Sequence, residues 1–594
     1  MKELLEHAGL FSHEVLPALL PLALEDDVPQ VVLVAGYVKG DDGRKLSEHL
    51  QAFVARGGAV VGLGGAGAPE GQSGTGVLDG LFELFGLQPV LNESFVEPGF
   101  GQSRWQTLGE GWIKSRERRH PVLAGFDDVP LHVFGGQAVR SAGGKAGAKA
   151  LAGIVGLDGK SRPLVTLSEK RAAKGTGLAF FVAVDVPGSA AYIRTGRPVH
   201  FDAISSSDGT APLCDGKLKA EDGMVLDFLR DRHPVDERGR LARTAGAKAW
   251  PIFDQPIADA LAQLLLRAIA YAATRTGVRL PRLWYHPDGL EAVGHVSHDS
   301  DGNDPALGER LHEVMRQAEV RSTWCTLHPG YDAAFYEKLK AYGHEIALHY
   351  DATGVPREPF RRWGEPNLDF QLRWLQEAAD LRGAEGVVSN KNHYTRWEGS
   401  LEFLEWCAAR GIRVEQSRGP SKRGTLGYPF GSCHAHYLYD ALGRRIDTLV
   451  LAFQTQDLVV TAPATWGRLF VDRARRWHGV CHLLYHPAHI DKPGVAESLL
   501  DAAAYGRKRG LRWLTSREIG AYERARRACL AERANRAGAG LRLNAPQVLE
   551  GATLHVLGST PFHAKSVGSR KVWREGFDWQ EAVLPRAQGE LVLE

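Results

Sequence analysis

The sequence predicts an α/β protein with two strand–helix regions in series and a small β region after them. Three observations lead there. Short apolar runs alternate with helical spacing from residue 31, and the alternation resumes with longer units from about residue 290 to 525. The stretch Val293 to Pro305, VGHVSHDSDGNDP, ends an apolar run in two carboxylates two residues apart, Asp299 and Asp301. The chain has 594 residues, too many for one core and enough for roughly three or four domains.

Composition narrows the function classes. A formal net charge of +2 gives no reason to expect a nucleic-acid partner. The six cysteines, Cys214, Cys325, Cys407, Cys433, Cys481 and Cys529, include no CxxC pair. Neither a disulfide framework nor a thiolate zinc site is therefore suggested, and scattered thiols fit a reducing compartment. MKELLEHAGLFSHEVL lacks an apolar h-region with a cleavage site. No uninterrupted run reaches the ~18 apolar residues that span a bilayer. The expectation is a soluble, cytoplasmic protein with no membrane partner; a homo-oligomer is compatible with it.

In order, Val31 to Ala35 is a buried-type strand, and Leu46 to Ala55 has helical spacing stopped by Gly57-Gly58. Ala59 to Leu63 is a second strand and Leu78 to Phe85 a second helix, ended by Gly86. Strands follow at Leu131 to Phe134, Ala150 to Val155 and Leu178 to Val184. The alternation predicts a parallel, doubly wound sheet with helices on both faces, over residues 1–210. Residues 211–288 read as a connector. Its strongest helix is Ile257 to Thr276, where Ala258, Leu261, Leu265, Ile269 and Ala272 share a face. Asp215, Lys217, Lys219, Glu221 and Asp222 read most simply as a solvated surface.

Residues 289–525 carry six to eight βα units, which suggests a barrel rather than an open sheet. Helices are expected at Leu307 to Ala318, Ala333 to Tyr342, Leu368 to Leu381, Leu401 to Arg410 and Val495 to Lys508. Strands are expected at Val320 to Thr326, His344 to His349, Val387 to Ser389, Ile412 to Val414, Thr448 to Ala452, Val480 to Tyr485 and Arg512 to Leu514. Residues 526–594 read as an Arg-rich helical stretch and a small region of short strands.

In a strand, residues i and i+2 point the same way, so Asp299 and Asp301 leave one strand end on one side. One such carboxylate can hold a metal while the other takes a proton from metal-bound water. The plainer alternative is an Asx-rich turn that caps the next helix.

Two family resemblances follow from quoted motifs. The first 200 residues resemble the class I glutamine amidotransferase-like fold through GGAVVGLGG at Gly57 to Gly65, LFGL at Leu84 to Leu87 and HPVLAGF at His120 to Phe126. The nucleophilic cysteine that family needs is missing where Leu63 or Gly64 stands, so this region is expected to be non-catalytic. The second region resembles the polysaccharide deacetylase family. The motifs are HDSDG at His298, GHEIALH at Gly343, NKNHYTRWEG at Asn390, GIRVEQS at Gly411 and LLYHPAH at Leu483.

That second resemblance implies a (β/α)7 barrel, a divalent metal (zinc by default) and a carbohydrate or small-amide substrate. It implies Asp299 as base, Asp301 and His349 as metal ligands and His486 as acid. Arg396 or Lys391 stands where the family keeps an arginine that positions the base. The family's second histidine falls at Thr353, a poor zinc ligand, and His344 lies on the opposite strand face from His349. His393, Asp351 or a water are the replacements, His393 first. Glu415 stands near the family's fourth motif. Trp363, Trp397 and Tyr394 are candidates for stacking on sugar rings. His489 joins them from the cluster around His486, while Gln454, Gln456 and Asp457 follow a strand toward the same mouth. Cys433-His434 is a further candidate pair.

The function expected is metal-dependent hydrolysis of a C–N amide bond, as in an amino-sugar deacetylase. The alternatives are a non-catalytic carbohydrate-binding or regulatory protein with a degenerate pocket, or a hydrolase of small cyclic amides.

Overall fold

The computed structural model describes the chain apart from residues 16–19, 21–23, 25–30, 36–39, 65–81, 90–109, 116, 118, 127–129, 136–138, 144–147, 157–160, 173–174, 245–247, 355–361, 384–385, 534–540, 565–566 and 594. It packs as two compact units. One takes Met1–Ala191, Ala260–Gly289 and Ala525–Glu594; the other takes Tyr192–Asp259 and Leu290–Arg524.

The first unit contains a seven-stranded sheet of β1 (Val31–Val34), β2 (Ala59–Leu63), β3 (Glu110–Ser115), β4 (Leu131–Phe134), β5 (Lys149–Gly156), β6 (Ser161–Ala172) and β7 (Gly175–Val182). Their order is β1-β2-β7-β6-β5-β3-β4. Only β1, β2 and β7 run parallel; every other neighbour pair is antiparallel. The expected parallel, doubly wound sheet is thus corrected to a mixed one. The cause is connection length: β6 ends at Ala172 and β7 begins at Gly175. A parallel crossover needs a dozen or more residues, so such a link can only reverse the chain. The helix Gly40–Ala55 supplies the one predicted crossover between β1 and β2.

Of the predicted helix Leu78 to Phe85, residues 78–81 lie outside the described residues, and 82–86 form turns rather than a helix. The helix Ile257–Thr276 is long and apolar enough to cross a membrane, yet 83% of its most apolar 18-residue window is buried in the protein, as in a core helix. The C-terminal strands are not short. Leu541–Leu557 and Phe577–Leu593 pair antiparallel over 17 residues each, with one register shift.

The second unit is built on β8 (Val293–Asp299), β9 (Thr323–Thr326), β10 (Glu345–Tyr350), β11 (Ser389–Asn392), β12 (Val414–Glu415), β13 (His436–Tyr439), β14 (Arg445–Val450), β15 (Thr455–Gln456) and β16 (Val480–Tyr485). The order is β13-β14-β12-β11-β10-β9-β8-β16-β15. All but β13 run parallel, as the βα pattern predicts. No ladder joins the two ends among the described residues, so the sheet expected to be a barrel curls into a half-barrel without closing. β13 folds back antiparallel on β14 and occupies the edge that closure would use.

Polarity runs along these strands. Val293, Val414 and Val480, at strand starts, pack with Leu449, Leu451 and Leu514 in one apolar cluster. The strand ends carry His, Asp, Asn and Lys, the end at which parallel α/β folds place their chemistry. The helix Pro305–Gln317 is capped by Asp304, whose Oδ1 accepts from the amides of Ala306 at 2.9 Å and Leu307 at 3.1 Å. Asp304, not the aspartate pair before it, does the capping, which leaves Asp299 and Asp301 for other work. The helix Ala333–Tyr342 stops at Gly343 in a left-handed turn, φ +87°, as its sequence predicts.

Candidate metal and acid–base site

Alternate residues of β8 share one face, and on it His295, Ser297 and Asp299 are all buried. His295 lies between the Leu514 carbonyl and the Gln416 side chain, 2.9 Å from each. Ser297 Oγ meets His482 Nε2 at 2.8 Å. Lys391, fully buried on β11, donates to Ser297 Oγ at 2.5 Å and sits 3.4 Å from Asp299 Oδ1. Asp299 Oδ1 itself accepts no hydrogen bond from the described residues.

Three groups meet beyond Asp299. His349 Nε2 lies 3.2 Å from Asp301 Oδ1 and 3.9 Å from Asp299 Oδ2. His393 Nε2 lies 3.6 Å from Asp301 Oδ1. In a flat sheet β8 and β11 would stand about 14 Å apart, three strand spacings. The turn after β11 carries the His393 ring back toward Asp301. Tyr394 and Thr395 there have φ of +57° and +53°, backbone conformations that side chains other than glycine avoid.

Each imidazole is held by its other nitrogen. His349 Nδ1 donates to the Lys391 carbonyl at 2.9 Å, and His393 Nδ1 to Asp351 Oδ1 at 3.2 Å. Both Nε2 atoms are thereby left facing the cluster, the arrangement that orients histidine ligands toward a metal. Ligand atoms of Asp301, His349 and His393 all lie within 4.8 Å of one another. A carboxylate and two imidazoles suit a borderline divalent cation such as zinc. Thr353 faces elsewhere: its amide and hydroxyl donate to Asp351 Oδ1 at 2.9 and 2.5 Å. It braces the carboxylate that orients His393. His344 is tied to Ser322 and His312, away from the cluster.

On the other side, Asp457 is buried after β15 and joins two histidines. Its Oδ2 accepts from His486 Nδ1 at 2.6 Å and lies 2.9 Å from His489 Nδ1; its Oδ1 accepts from the His486 amide at 2.8 Å. His486 Nε2 then stands 4.0 Å from Asp299 and 3.9 Å from Asp301.

The electrostatics follow from this geometry. Burial works to raise the Asp301 pKa, but the bonds and charges of His349 and His393 outweigh it and hold the carboxyl well below the usual range. Burial opposes charge on His486, yet Asp457, Asp299 and Asp301 push its pKa up to about 9. Against the same opposition, Asp301 and Asp351 push His393 up to about 9.

Some residues singled out in the sequence lie elsewhere. Of the two cations offered as partners for the base, Lys391 lies against Asp299, while Arg396 pairs with Glu398. Trp397 cannot stack on a sugar: it is 2% exposed, donates to the Ser400 carbonyl at 2.9 Å and packs on Trp363, Phe403 and Arg418. Trp363 packs in the same aromatic cluster, on Tyr350 and Trp406. Trp397→Phe is therefore expected to lower stability by about 1–2 kcal/mol in a denaturant melt. A changed KM with an unchanged melt would return Trp397 to the substrate. Tyr394, 49% exposed, and His489 do line the cavity. Cys433 is buried beside Asp259, and burial first, then that carboxylate, pushes its thiol pKa well up, which disfavours a nucleophile. Glu415 is buried against Ser417.

The cavity above these groups encloses about 390 Å³, within the range of small-molecule sites. Its wall includes Asp215, Lys217, Lys219 and Lys422. The solvated-surface reading of 215–222 is corrected here, since Lys219 and Glu221 are buried. The signal was present as a period of two: Asp215, Lys217, Lys219 and Glu221 alternate with small or apolar residues, as a strand with one polar face would. Lys219 does form a bridge to Arg396 in the antiparallel sense.

No protein-family model and no curated protein matches this chain. Among solved structures it is similar to a provisionally assigned polysaccharide deacetylase from Mycobacterium smegmatis, 19% identical, over 40% of this chain and 92% of that one, with a TM-score of 0.30. It is also similar to a mutant of the peptidoglycan deacetylase PdaC from Bacillus subtilis, 10% identical over 41% and 96% of the two chains, TM-score 0.25. A third is a CE4 family pseudoenzyme from Bacillus anthracis, 10% identical over 40% and 66%, TM-score 0.25.

Proposed function

We propose that the second unit is a metal-dependent hydrolase of C–N amide bonds that removes acetyl groups from an amino sugar. One observation carries this reading: a carboxylate with its own cation, Asp299–Lys391, and an imidazole with its own carboxylate, His486–Asp457, face each other beside the Asp301–His349–His393 cluster. Asp301, His349 and His393 would hold a divalent ion, zinc by default. When bound, such an ion supplies Lewis acidity toward a carbonyl and acidifies water.

The chain's own residues supply the proton transfers. Asp299, with Lys391 Nζ 3.4 Å from its Oδ1, takes a proton from the water whose oxygen bonds to the acetamide carbon. His486, charged and oriented by Asp457, gives its Nε2 proton to the sugar nitrogen as the C–N bond breaks. The products are acetate and a free amine. The same proton transfers would open a small cyclic amide.

The test is acetate release from N-acetylglucosamine oligomers by protein loaded with zinc, cobalt or manganese, beside metal content. Release that depends on the ion and stops with a chelator is expected. Glycan binding without hydrolysis of amino-sugar or cyclic amide substrates under any ion would favour a non-catalytic binding protein with a degenerate pocket. The first 210 residues we take as amidotransferase-like and non-catalytic. No cysteine precedes Cys214, so added glutamine is expected to release no ammonia, and a measurable rate would overturn that.

A further inference from the structure

One wall of the cavity carries three ammonium groups and a single exposed carboxylate. Asp215 is shared: Lys422 Nζ lies 2.5 Å from its Oδ2, and Lys219 Nζ bonds the same oxygen. Lys217 has no carboxylate partner among the described residues; its Nζ lies 3.2 Å from the centroid of the Tyr394 ring. Of the further carboxylates, Glu221 is buried and committed to the Ser421 amide at 2.6 Å and to the hydroxyls of Ser421 and Thr425, and Asp222 accepts from the backbone amides of Lys219 at 2.7 Å and Ala203 at 3.1 Å. The Glu221 bonds fix the turn that presents Lys422. Lys219 is itself buried, so the wall is organised before any ligand arrives rather than being a set of loose surface lysines.

The charges do not cancel. Asp299 and Asp301 also line the cavity, but they have partners of their own, Lys391 for the first and His349 and His393 for the second. Along this wall, even with burial lowering the Lys219 pKa, Lys217 and Lys422 outnumber Asp215, and the surplus positive charge acts more strongly in a concave, partly desolvated site than in open water. A neutral acetamido sugar would leave that surplus unused. Resting on the hydrolase reading above, we infer that the substrate is an anionic N-acetylated sugar, whose carboxylate or phosphate ester sits against Lys217 and Lys422 while its acetamide reaches Asp301 and Asp299. Tyr394, which lines the cavity beside Lys217, offers an aromatic ring for the same sugar.

The experiment measures binding first, by calorimetry on the metal-free full chain. The probes are N-acetylglucosamine, its 6-phosphate and its C6 carboxylate (the uronate). At least one anionic sugar is expected to bind about tenfold tighter than the neutral one, the worth of two partly desolvated charge contacts. Which anion gains more tells phosphate from carboxylate. The advantage should shrink between about 0.05 M and about 0.3 M salt as the screening length shortens. It should fall at least threefold in Lys217→Gln, and further in Lys217→Gln/Lys422→Gln. Lys217 touches only a ring, so its single variant remains informative if the double one misfolds.

Equal affinity for neutral and anionic sugars, or a preference that survives Lys217→Gln, would overturn the inference. Acetate release is then compared across the same sugars on metal-loaded protein. Lysine-dependent anion binding without hydrolysis of any substrate would sink the hydrolase reading alone. Hydrolysis of neutral sugars with no anion preference would sink the anion inference alone.

Discussion

Asp299→Asn is expected to lower turnover by about 10²- to 10⁴-fold, the worth of a positioned general base. The amide keeps the shape of the carboxylate but accepts no proton. The proposed ligand set, Asp301, His349 and His393, is untouched, so metal content should stay near wild type. The fold will not be indifferent. Lys391 is fully buried, with Asp299 its nearest counter-charge at 3.4 Å. Removing that charge leaves an uncompensated ammonium inside the unit, which costs about 3 kcal/mol or more. The sharper experiment is therefore the double variant Asp299→Asn/Lys391→Met. It should recover most of the lost stability, because a pair is removed rather than a partner, and recover none of the turnover. Wild-type turnover in the single variant would take the role of base away from Asp299. Turnover that returned with stability in the double variant would mean that the single variant had only been misfolded.

His393→Ala is expected to lower metal affinity by about 100-fold or more, since it removes a ligand and not merely its support. The variant should bind less zinc after dialysis against a competing chelator, and lost activity should return in part at high added zinc. Asp351→Asn should do less, about 10- to 100-fold, because it loosens the imidazole without removing it. The contrast separates loss of a ligand from loss of the carboxylate that orients it. If His393→Ala keeps its metal while Asp301→Asn loses it, the third ligand is something other than His393, and the turn through Tyr394 and Thr395 has another purpose.

The strand ends that matter were legible. The spacing of Asp299 and Asp301, the strand before His349 and the cluster at His486 all follow from local periodicity, which shows which residues share a face. That periodicity does not show which neighbour a side chain meets. Arg396 and Lys391 looked equivalent as partners for Asp299, and only the fold separated them: Lys391 lies within β11 and faces in, while Arg396 lies past the turn and finds Glu398. Trp397 looked like a sugar platform because a loop position says nothing of burial. The first sheet departs from its expected topology for the opposite reason. Its apolar runs resemble those of a parallel sheet, but links such as the two residues between β6 and β7 force antiparallel neighbours.

By itself the sequence determined an α/β chain with two regions, the polar ends of its parallel strands and the absence of any cysteine nucleophile before Cys214. Those are properties of residue type and of spacing along one segment. The tertiary structure alone decided that His393 comes together with Asp301 and His349 while Thr353 turns to Asp351, that Asp457 holds both His486 and His489, and that residues 215–219 wall the cavity with lysines. Each of these joins segments tens to hundreds of residues apart. Local periodicity sets the face on which a side chain lies, and only the packed fold sets what that face meets.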